Sequence, residues 1–224
     1  RRINDYKPME LNSLSYEQMI SVKKIDANEK KTVTALAGLL ALSLLFMLGN
    51  VSYSYIQSRE SKYSASTLNT VYGDDQFSVK LSENARKDKD IQGENGVTIS
   101  GSIYSDILAN NKAMVKVGCI AYTQNGSELS IAKRETIDNV FNGEIKELRD
   151  QSYTVTETSR KYDDATGGLI SGFLETSLEK SGSQNTLRYY IGTRRNQMCI
   201  VYVIAPGNLV DQIYGDVMGT FTIK

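Results

Sequence analysis

Residues 33–51 form the strongest hydrophobic segment of the chain and read VTALAGLLALSLLFMLGNV, without a charged residue or a proline. As an α-helix these nineteen residues rise about 28 Å, which nearly matches the hydrocarbon layer of a bilayer. A helix packed in a soluble core normally keeps a polar stripe, whereas leucine, alanine and phenylalanine point in every direction here. The pattern predicts a transmembrane helix over 33–51, surrounded by the lipid bilayer.

The flanking residues favour a retained anchor over a cleaved signal peptide. Tyr53, Tyr55 and Ile56 stand where a cleavage site requires small residues, and no Ala-x-Ala pattern is present there. About thirty residues precede the apolar segment, which is long for the n-region of a signal peptide. We therefore expect a signal anchor.

Basic residues near this segment predict its orientation. More of them precede it than follow it: Lys23, Lys24, Lys30 and Lys31 before it, Arg59 and Lys62 after it. Because positively charged flanks stay on the inner side of a membrane, the amino terminus is expected inside. The carboxyl-terminal part then lies in the periplasm, outside the cell, or in a thylakoid lumen.

Beyond residue 74 the apolar positions follow strand and helix periods in turn. Arg134–Asp150 has apolar residues at three- and four-residue spacing, which predicts an amphipathic helix. A shorter helix is predicted from an Asn208 cap to about Gly215, with Val217 and Met218 continuing its apolar face. The segment 114–122 is apolar on both sides except at Lys116, which predicts a central strand. Further strands are predicted at 77–81, 97–103, 153–162, 169–178, 186–193, 197–205 and 221–223.

This order of elements indicates the fold class α+β. An antiparallel β-sheet flanked by helices, an α/β/α sandwich, accommodates the strands, the first helix, the strand meander and the closing helix. The predicted organisation is an inner tail at 1–32, the transmembrane helix at 33–51, a tether at 52–73 and an outer domain at 74–224. The tail is too short to bury a core of its own, and its segment 11–24 is a candidate partner-binding helix.

The composition excludes several classes of function. The 224 residues contain no histidine, so Ser-His-Asp and Cys-His catalysis are excluded and a zinc site is poorly supplied with ligands. Equal numbers of basic and acidic residues, 26 of each, give no net attraction to nucleic acid. No Gly-rich phosphate motif follows a predicted strand. We therefore expect no enzyme activity, no cofactor and no bound metal.

Four segments together resemble the PsbP/Mog-like domain family over residues 74–224. They are DQFSVKL at 75–81, the amphipathic helix at 134–150, RYYIGTRRNQMCIVYVIAP at 188–206 and DVMGTFTI at 216–223. PsbP-like proteins are extrinsic or assembly subunits of photosynthetic complexes without enzymatic chemistry, and Mog-like relatives bind a small GTPase. The resemblance thus implies a PsbP-like α/β/α sandwich with an interaction role, and it assigns no site residue. A retained membrane anchor departs from most members.

Two cysteines, Cys119 and Cys199, lie in predicted strands on sides rich in valine. Buried inert thiols fit this pattern, because free cysteine is a common core residue. A disulfide also fits, because an oxidising compartment permits a bond that would close an 80-residue loop. Both interpretations stay open, since the sequence does not tell whether the two strands are neighbours.

Clusters of charge are typical of solvated turns in this chain. There are three acidic groups, Asp74 with Asp75, Asp88 with Asp90, and Asp163 with Asp164. None has the spacing of a calcium loop. The basic pair Arg194 and Arg195, with Arg188 nearby, is typical of an exposed hairpin end and also suits an acidic partner.

Small residues cluster in the amino-terminal half of the predicted transmembrane helix. Ala35, Gly38 and Ala41 recur at three-residue steps, a spacing that lets another helix approach closely. Small residues that merely dilute the leucines are the alternative interpretation.

These features favour a non-enzymatic, single-pass accessory or assembly subunit of a larger membrane complex, with other subunits as its partners and a photosynthetic membrane as one setting. A cell-envelope or secretion-system scaffold is the main alternative, but such proteins place helices before the sheet, and strands come first here. The third hypothesis, an enzyme with a carboxylate-based site, requires two acids that converge in a cleft.

Overall fold

A computed structural model of the chain describes residues 63–88, 96–165 and 168–224. The predicted tail at 1–32, the predicted transmembrane helix at 33–51 and residues 52–62 of the tether lie outside these ranges. Within the described residues, no helix has the length and apolar character needed to cross a membrane.

A large antiparallel sheet forms the centre of the described fold. Its strands are β3 (Arg86–Lys87), β4 (Val97–Leu108), β5 (Ala113–Gln124), β6 (Ser127–Glu128), β7 (Thr154–Ala165), β8 (Leu169–Lys180), β9 (Ser183–Arg194) and β10 (Gln197–Ala205). They are arranged in the order β3-β4-β5-β10-β9-β8-β7, and β6 also pairs with β5. β5 is buried on both faces along most of its length, which confirms the predicted central strand.

A smaller antiparallel sheet contains β1 (Thr70–Gly73), β2 (Phe77–Leu81) and β11 (Thr222–Ile223), in the order β1-β2-β11. It is preceded by a single 3₁₀ turn, Ala65–Thr67, and by Leu68, which is buried. Regular structure therefore begins before Phe77, within the residues assigned to the predicted tether at 52–73. The sequence analysis did not predict strand β1, because Thr70–Gly73 is short and lacks an alternating apolar pattern. Its pairing partner, β2, follows it directly in the chain.

Two α-helices pack on the large sheet. The first, α1, spans Arg134–Asp150 as predicted, and its buried side chains follow the expected seam. The second, α2, spans Gly207–Thr220, and its amino-terminal cap is Pro206 rather than Asn208. α2 continues past the predicted end at Gly215 because Ile213 and Val217 remain on its buried face.

The two helices lie on opposite faces of the large sheet, as the predicted α/β/α arrangement requires. On one face, α2 and the smaller sheet pack against the odd-numbered positions of β5 and β10. This core contains Phe77, Val79, Leu81, Val115, Val117, Cys119, Cys199, Val201, Val203, Leu209, Val210, Ile213 and Val217. On the other face, α1 packs over β7 and β8, and its Glu144 contacts the even-numbered Tyr202 of β10, so the two faces are built from different residues.

Strand β4 extends five residues beyond the predicted segment 97–103. Its later part contains Asp106, which is 1% exposed and reads as a loop residue in the sequence. The Asp106 carboxylate accepts hydrogen bonds from the backbone N–H and the hydroxyl of Ser82, both at 2.8 Å. Because this pair satisfies the buried carboxylate, a polar residue continues the strand where the apolar pattern stops.

The pairing between the long strands β7 and β8 contains a β-bulge. The pairing shifts between Glu157 and Ser159, so that Thr158 is an additional residue in β7. This β-bulge lies in the last strand of the large sheet.

Gly172 in β8 allows α1 to approach the sheet closely. A Cβ atom at this position would lie 2.5 Å from Ile137 Cγ2 and 3.0 Å from Phe141 Cε2. Gly172→Ala should therefore lower the free energy of unfolding by about 1–3 kcal/mol through overpacking, measured by urea denaturation. The matched control Ser177→Ala, on the opposite face of β8, should change it by less than about 0.5 kcal/mol.

A double-mutant cycle tests the cause of this loss. Ile137→Ala removes the atom that the new methyl group would contact. The double variant should therefore lose less free energy of unfolding than the sum of the losses in the two single variants. Strict additivity would contradict close packing between Gly172 and Ile137.

Candidate functional site

A row of adjacent residues crosses the large sheet beneath α1. From β3 to β7 its members are Arg86, Ser105, Lys116, Tyr202, Tyr189, Leu174 and Arg160. The Phe141 ring of α1 packs edge-on against Tyr189, with the ring centroids 5.5 Å apart. Glu144, one turn later on α1, contacts Tyr202. The cross-sheet row therefore determines where α1 lies on the sheet.

Two residues in the middle of this row, Lys116 and Tyr202, form a polar core cluster with Asp88 and Glu144. Lys116, Glu144 and Tyr202 are each at most 3% exposed. The Tyr202 hydroxyl donates a hydrogen bond to Glu144 Oε1 at 3.0 Å. Lys116 Nζ lies 3.8 Å from Asp88 Oδ2, and the Asp88 side chain is 18% exposed. The cluster thus extends from the solvent at Asp88 into the centre of the domain.

Burial changes the proton affinity of these groups. It lowers the pKa of Lys116 to about 8, although the charges of Asp88 and Glu144 act in the opposite direction. It raises the pKa of Glu144 to about 7, against the hydrogen bond from Tyr202 and the charge of Lys116. It also raises the pKa of Asp88. The cluster can therefore exchange protons near neutral pH, but its place beneath a helix differs from an open catalytic cleft.

Arg160 holds α1 at the β7 end of the row. Its guanidinium donates hydrogen bonds to Asp138 Oδ1 at 2.8 Å and to Asn142 Oδ1 at 2.9 Å, both on α1. It also lies 5.6 Å from the centroid of the Phe141 ring, and Tyr162 donates a further hydrogen bond to Asp138. α1 is consequently attached to the sheet both at its centre and at its edge.

Among the described residues, the other face of the sheet is partly uncovered beside α2. That helix packs over β9, β10 and β2, whereas β7 and β8 present exposed or half-buried side chains on the same side. We call this surface the open face. Its residues are Ser159, Lys161, Asp163, Ser171, Phe173, Glu175, Arg188 and Tyr190.

Arg188 connects the open face to α2. Its Nε donates a hydrogen bond to Glu175 Oε2 at 2.8 Å, and its Nη2 lies 2.6 Å from Asp211 Oδ1 on α2. The guanidinium lies 5.8 Å from the centroid of the Tyr214 ring, which packs edge-on against Phe173. Burial raises the pKa of Tyr214 to about 12, so its hydroxyl stays protonated at neutral pH. Aromatic rings whose positions are fixed by neighbouring side chains are typical of protein interfaces.

The two cysteines are bonded to each other. Cys119 and Cys199 lie directly opposite in the pairing of β5 with β10, and their Sγ atoms are 2.04 Å apart. Each residue is at most 1% exposed. Of the two interpretations that the sequence left open, the structure contains the disulfide, on the α2 face of the sheet.

The acidic residues that are adjacent in the sequence make different contacts in the structure. Asp74 Oδ1 accepts a backbone N–H at 2.9 Å within the turn before β2. Asp164 pairs with Arg134 at 2.6 Å, while Asp163 lies on the other side of β7. Asp90 lies outside the described residues. In the part of the chain that the structure describes, no three Cys, Asp or Glu side chains form a metal-binding group.

Of the predicted basic group, Arg188 lies apart from Arg194 and Arg195. Arg194 and Arg195 are exposed at the turn between β9 and β10, as a hairpin end predicts, whereas Arg188 belongs to the open face. The predicted helix-packing residues lie outside the described ranges and are Ala35, Gly38 and Ala41.

Sequence reasoning missed Glu144 as a member of a site. The periodicity argument considered only the apolar positions of this helix, and Glu144 stands three residues after Phe141 on the same buried side. Lys116 gave the matching signal, since it is the one charged residue in an otherwise apolar strand. Two opposite charges at buried positions of different elements are a reason to expect that they meet.

Neither a protein-family model nor a curated protein sequence matches the chain. Among solved structures it is similar to cyanobacterial PsbP (CyanoP) from Synechocystis sp. PCC 6803, with 13% identity over 69% of this chain and 92% of that chain and a TM-score of 0.49. A Bacteroides thetaiotaomicron VPI-5482 protein has 11% identity over 66% of this chain and 45% of its own, with a TM-score of 0.35. PA94 from Pseudomonas aeruginosa has 10% identity over 65% and 88%, with a TM-score of 0.32. At these values no role is transferred from any of them.

The disulfide should make a large contribution to stability. Cys119→Ala together with Cys199→Ala should lower the free energy of unfolding by about 4 kcal/mol, because the bond closes a long loop in the unfolded chain. Urea denaturation of the oxidised wild type and of the double variant measures this difference.

Thiol labelling provides the control for the redox state. The purified chain, unfolded in urea without reductant, should contain no reactive thiol, and addition of reductant should release two, from Cys119 and Cys199. Labelling before reduction would contradict the bond.

Proposed function

We propose that the chain is a non-enzymatic accessory or assembly subunit of a larger membrane complex. Residues 33–51 anchor it with the amino terminus inside, and the outer domain docks on other subunits. A photosynthetic membrane is the setting suggested by the sequence resemblance to PsbP-like domains. The proposal rests on this chain's own residues, and the open face is the observation that carries it.

The open face supports docking because the part of the chain that the structure describes places no covering layer over it. Phe173 and Tyr190 are half-buried there, and Lys161 is exposed beside them. Large apolar side chains on a sheet face are usually covered by another layer, and a partner supplies such a layer when the chain does not. The adjacent Arg188 is already paired with Glu175 and Asp211, which favours a preorganised contact surface over a reactive site.

The disulfide supports an outer location for the domain. Stable disulfides are found chiefly in secreted, periplasmic and lumenal proteins, because the cytosol keeps thiols reduced. This agrees with the orientation that the basic residues around 33–51 predict. Localisation of the domain on the outer side is therefore part of the proposal.

Native gel electrophoresis of membranes solubilised in mild detergent tests the proposal. Wild-type chain should migrate with a larger complex. Lys161→Glu, on the open face, should weaken this association several-fold, because a reversed charge at an interface rim disturbs complementarity. Lys133→Glu is the matched control: it makes the same charge change at the exposed residue before α1 and should leave migration unchanged.

Gly38→Leu tests the anchor as a second docking element. Leucine favours insertion into the bilayer, so the variant should still reach the membrane, but a bulky residue would prevent close approach of another helix. Release from the complex would support helix packing at Ala35, Gly38 and Ala41. Wild-type chain that migrates alone would contradict the proposed function, whichever element is tested.

A further inference from the structure

Glu144 stands out on the buried side of α1. The other buried residues of this helix are apolar, and they are Ile137, Val140, Phe141, Ile145 and Leu148. Glu144 is 3% exposed and is directed at the centre of the sheet, where Tyr202 donates a hydrogen bond to it. An ionised carboxylate in this position loses most of its hydration, so its charge state affects how favourably α1 packs.

The groups that face Glu144 come from several elements. From α1 itself, Glu147 adds a like charge, and from β5 the Lys116 ammonium adds an opposite charge. Tyr202 on β10 is the hydrogen-bond donor, and the buried Tyr189 on β9 feels the charge of Glu144. Asp88, which follows β3, pairs with Lys116, so the positive charge of Lys116 is attracted by both Asp88 and Glu144.

We propose that the polar core cluster is a proton-operated latch for α1. Uptake of a proton by Glu144 tightens the packing of the helix on the sheet, and ionisation of Glu144 loosens it. Lys116 works in the opposite direction, because loss of its proton removes a buried positive charge. Asp88, which is partly exposed, lies where protons can enter from solvent. This property belongs to the domain itself and does not depend on the proposed partner complex.

The sign of the pH dependence follows from the two pKa shifts. The pKa of Glu144 is about 7 in the folded chain and ordinarily 4.5, so between these values the folded state holds the additional proton and packing weakens as the pH rises. The pKa of Lys116 is about 8 in the folded chain and ordinarily 10.5, so between these values packing strengthens as the pH rises. α1 is therefore held least tightly between about pH 7 and pH 8.

Hydrogen–deuterium exchange with mass spectrometry on the full chain in mild detergent tests the latch. After correction for intrinsic exchange rates, protection of peptides from α1 should fall about tenfold between about pH 5.5 and pH 7. It should recover by a similar factor between about pH 8 and pH 9.5. Peptides from α2, which packs on the other face, should change much less, and an equal change in both helices would overturn a latch specific to α1.

Substitutions separate the latch from a general effect of pH. Glu144→Gln keeps the size of the side chain and an oxygen for Tyr202, and it should abolish the acid branch of the profile. Glu135→Gln, at an exposed residue of the same helix, is the matched control and should keep both branches. Lys116→Met should remove the alkaline branch. A wild-type profile that is flat below pH 7, or an acid branch that persists in Glu144→Gln, would overturn the proposal.

Discussion

The pairing register between β5 and β10 is the constraint on which the rest of the structure depends. It sets Cys119 opposite Cys199 on one face of the sheet and Lys116 opposite Tyr202 on the other. A slip of one residue would reverse the face of every side chain in the shifted strand, placing cysteine beneath α1 and a polar group in the apolar core beneath α2. Because one pair is covalent and the other belongs to the polar core cluster, the same register is enforced from both faces.

The two faces of the sheet consequently hold their helices in different ways. The core beneath α2 is apolar, with Ile213 and Val217 fully covered, and the contact of Arg188 with Asp211 lies at the exposed side of that helix. α1 adds directed polar contacts, from Tyr202 to Glu144 and from Arg160 to Asp138. Buried charges stabilise less than apolar residues of the same size, but removal of one member leaves the others unpaired. This arrangement favours one defined position of α1 over the highest attainable stability.

Sequence periodicity predicted the elements that have strong apolar patterns. The bounds of Arg134–Asp150 and Gln197–Ala205 agree with the structure because their apolar spacing continues to the last residue. Features that depend on distant partners were not predictable: Asp106 is satisfied by Ser82, and Glu144 meets Tyr202 only after the sheet has formed. The open face was also hidden, since it depends on how far α2 extends over β8 rather than on any local pattern.

The bulge at Thr158 affects how readily the domain aggregates at high protein concentration. β7 is the last strand of the large sheet, and its outward backbone groups would otherwise offer a template for a strand of another molecule. The additional residue interrupts that template, and the exposed charges of Lys161 and Asp163 make it still less receptive. Fibril growth by addition of a strand from another molecule is therefore disfavoured at the β7 edge of the large sheet.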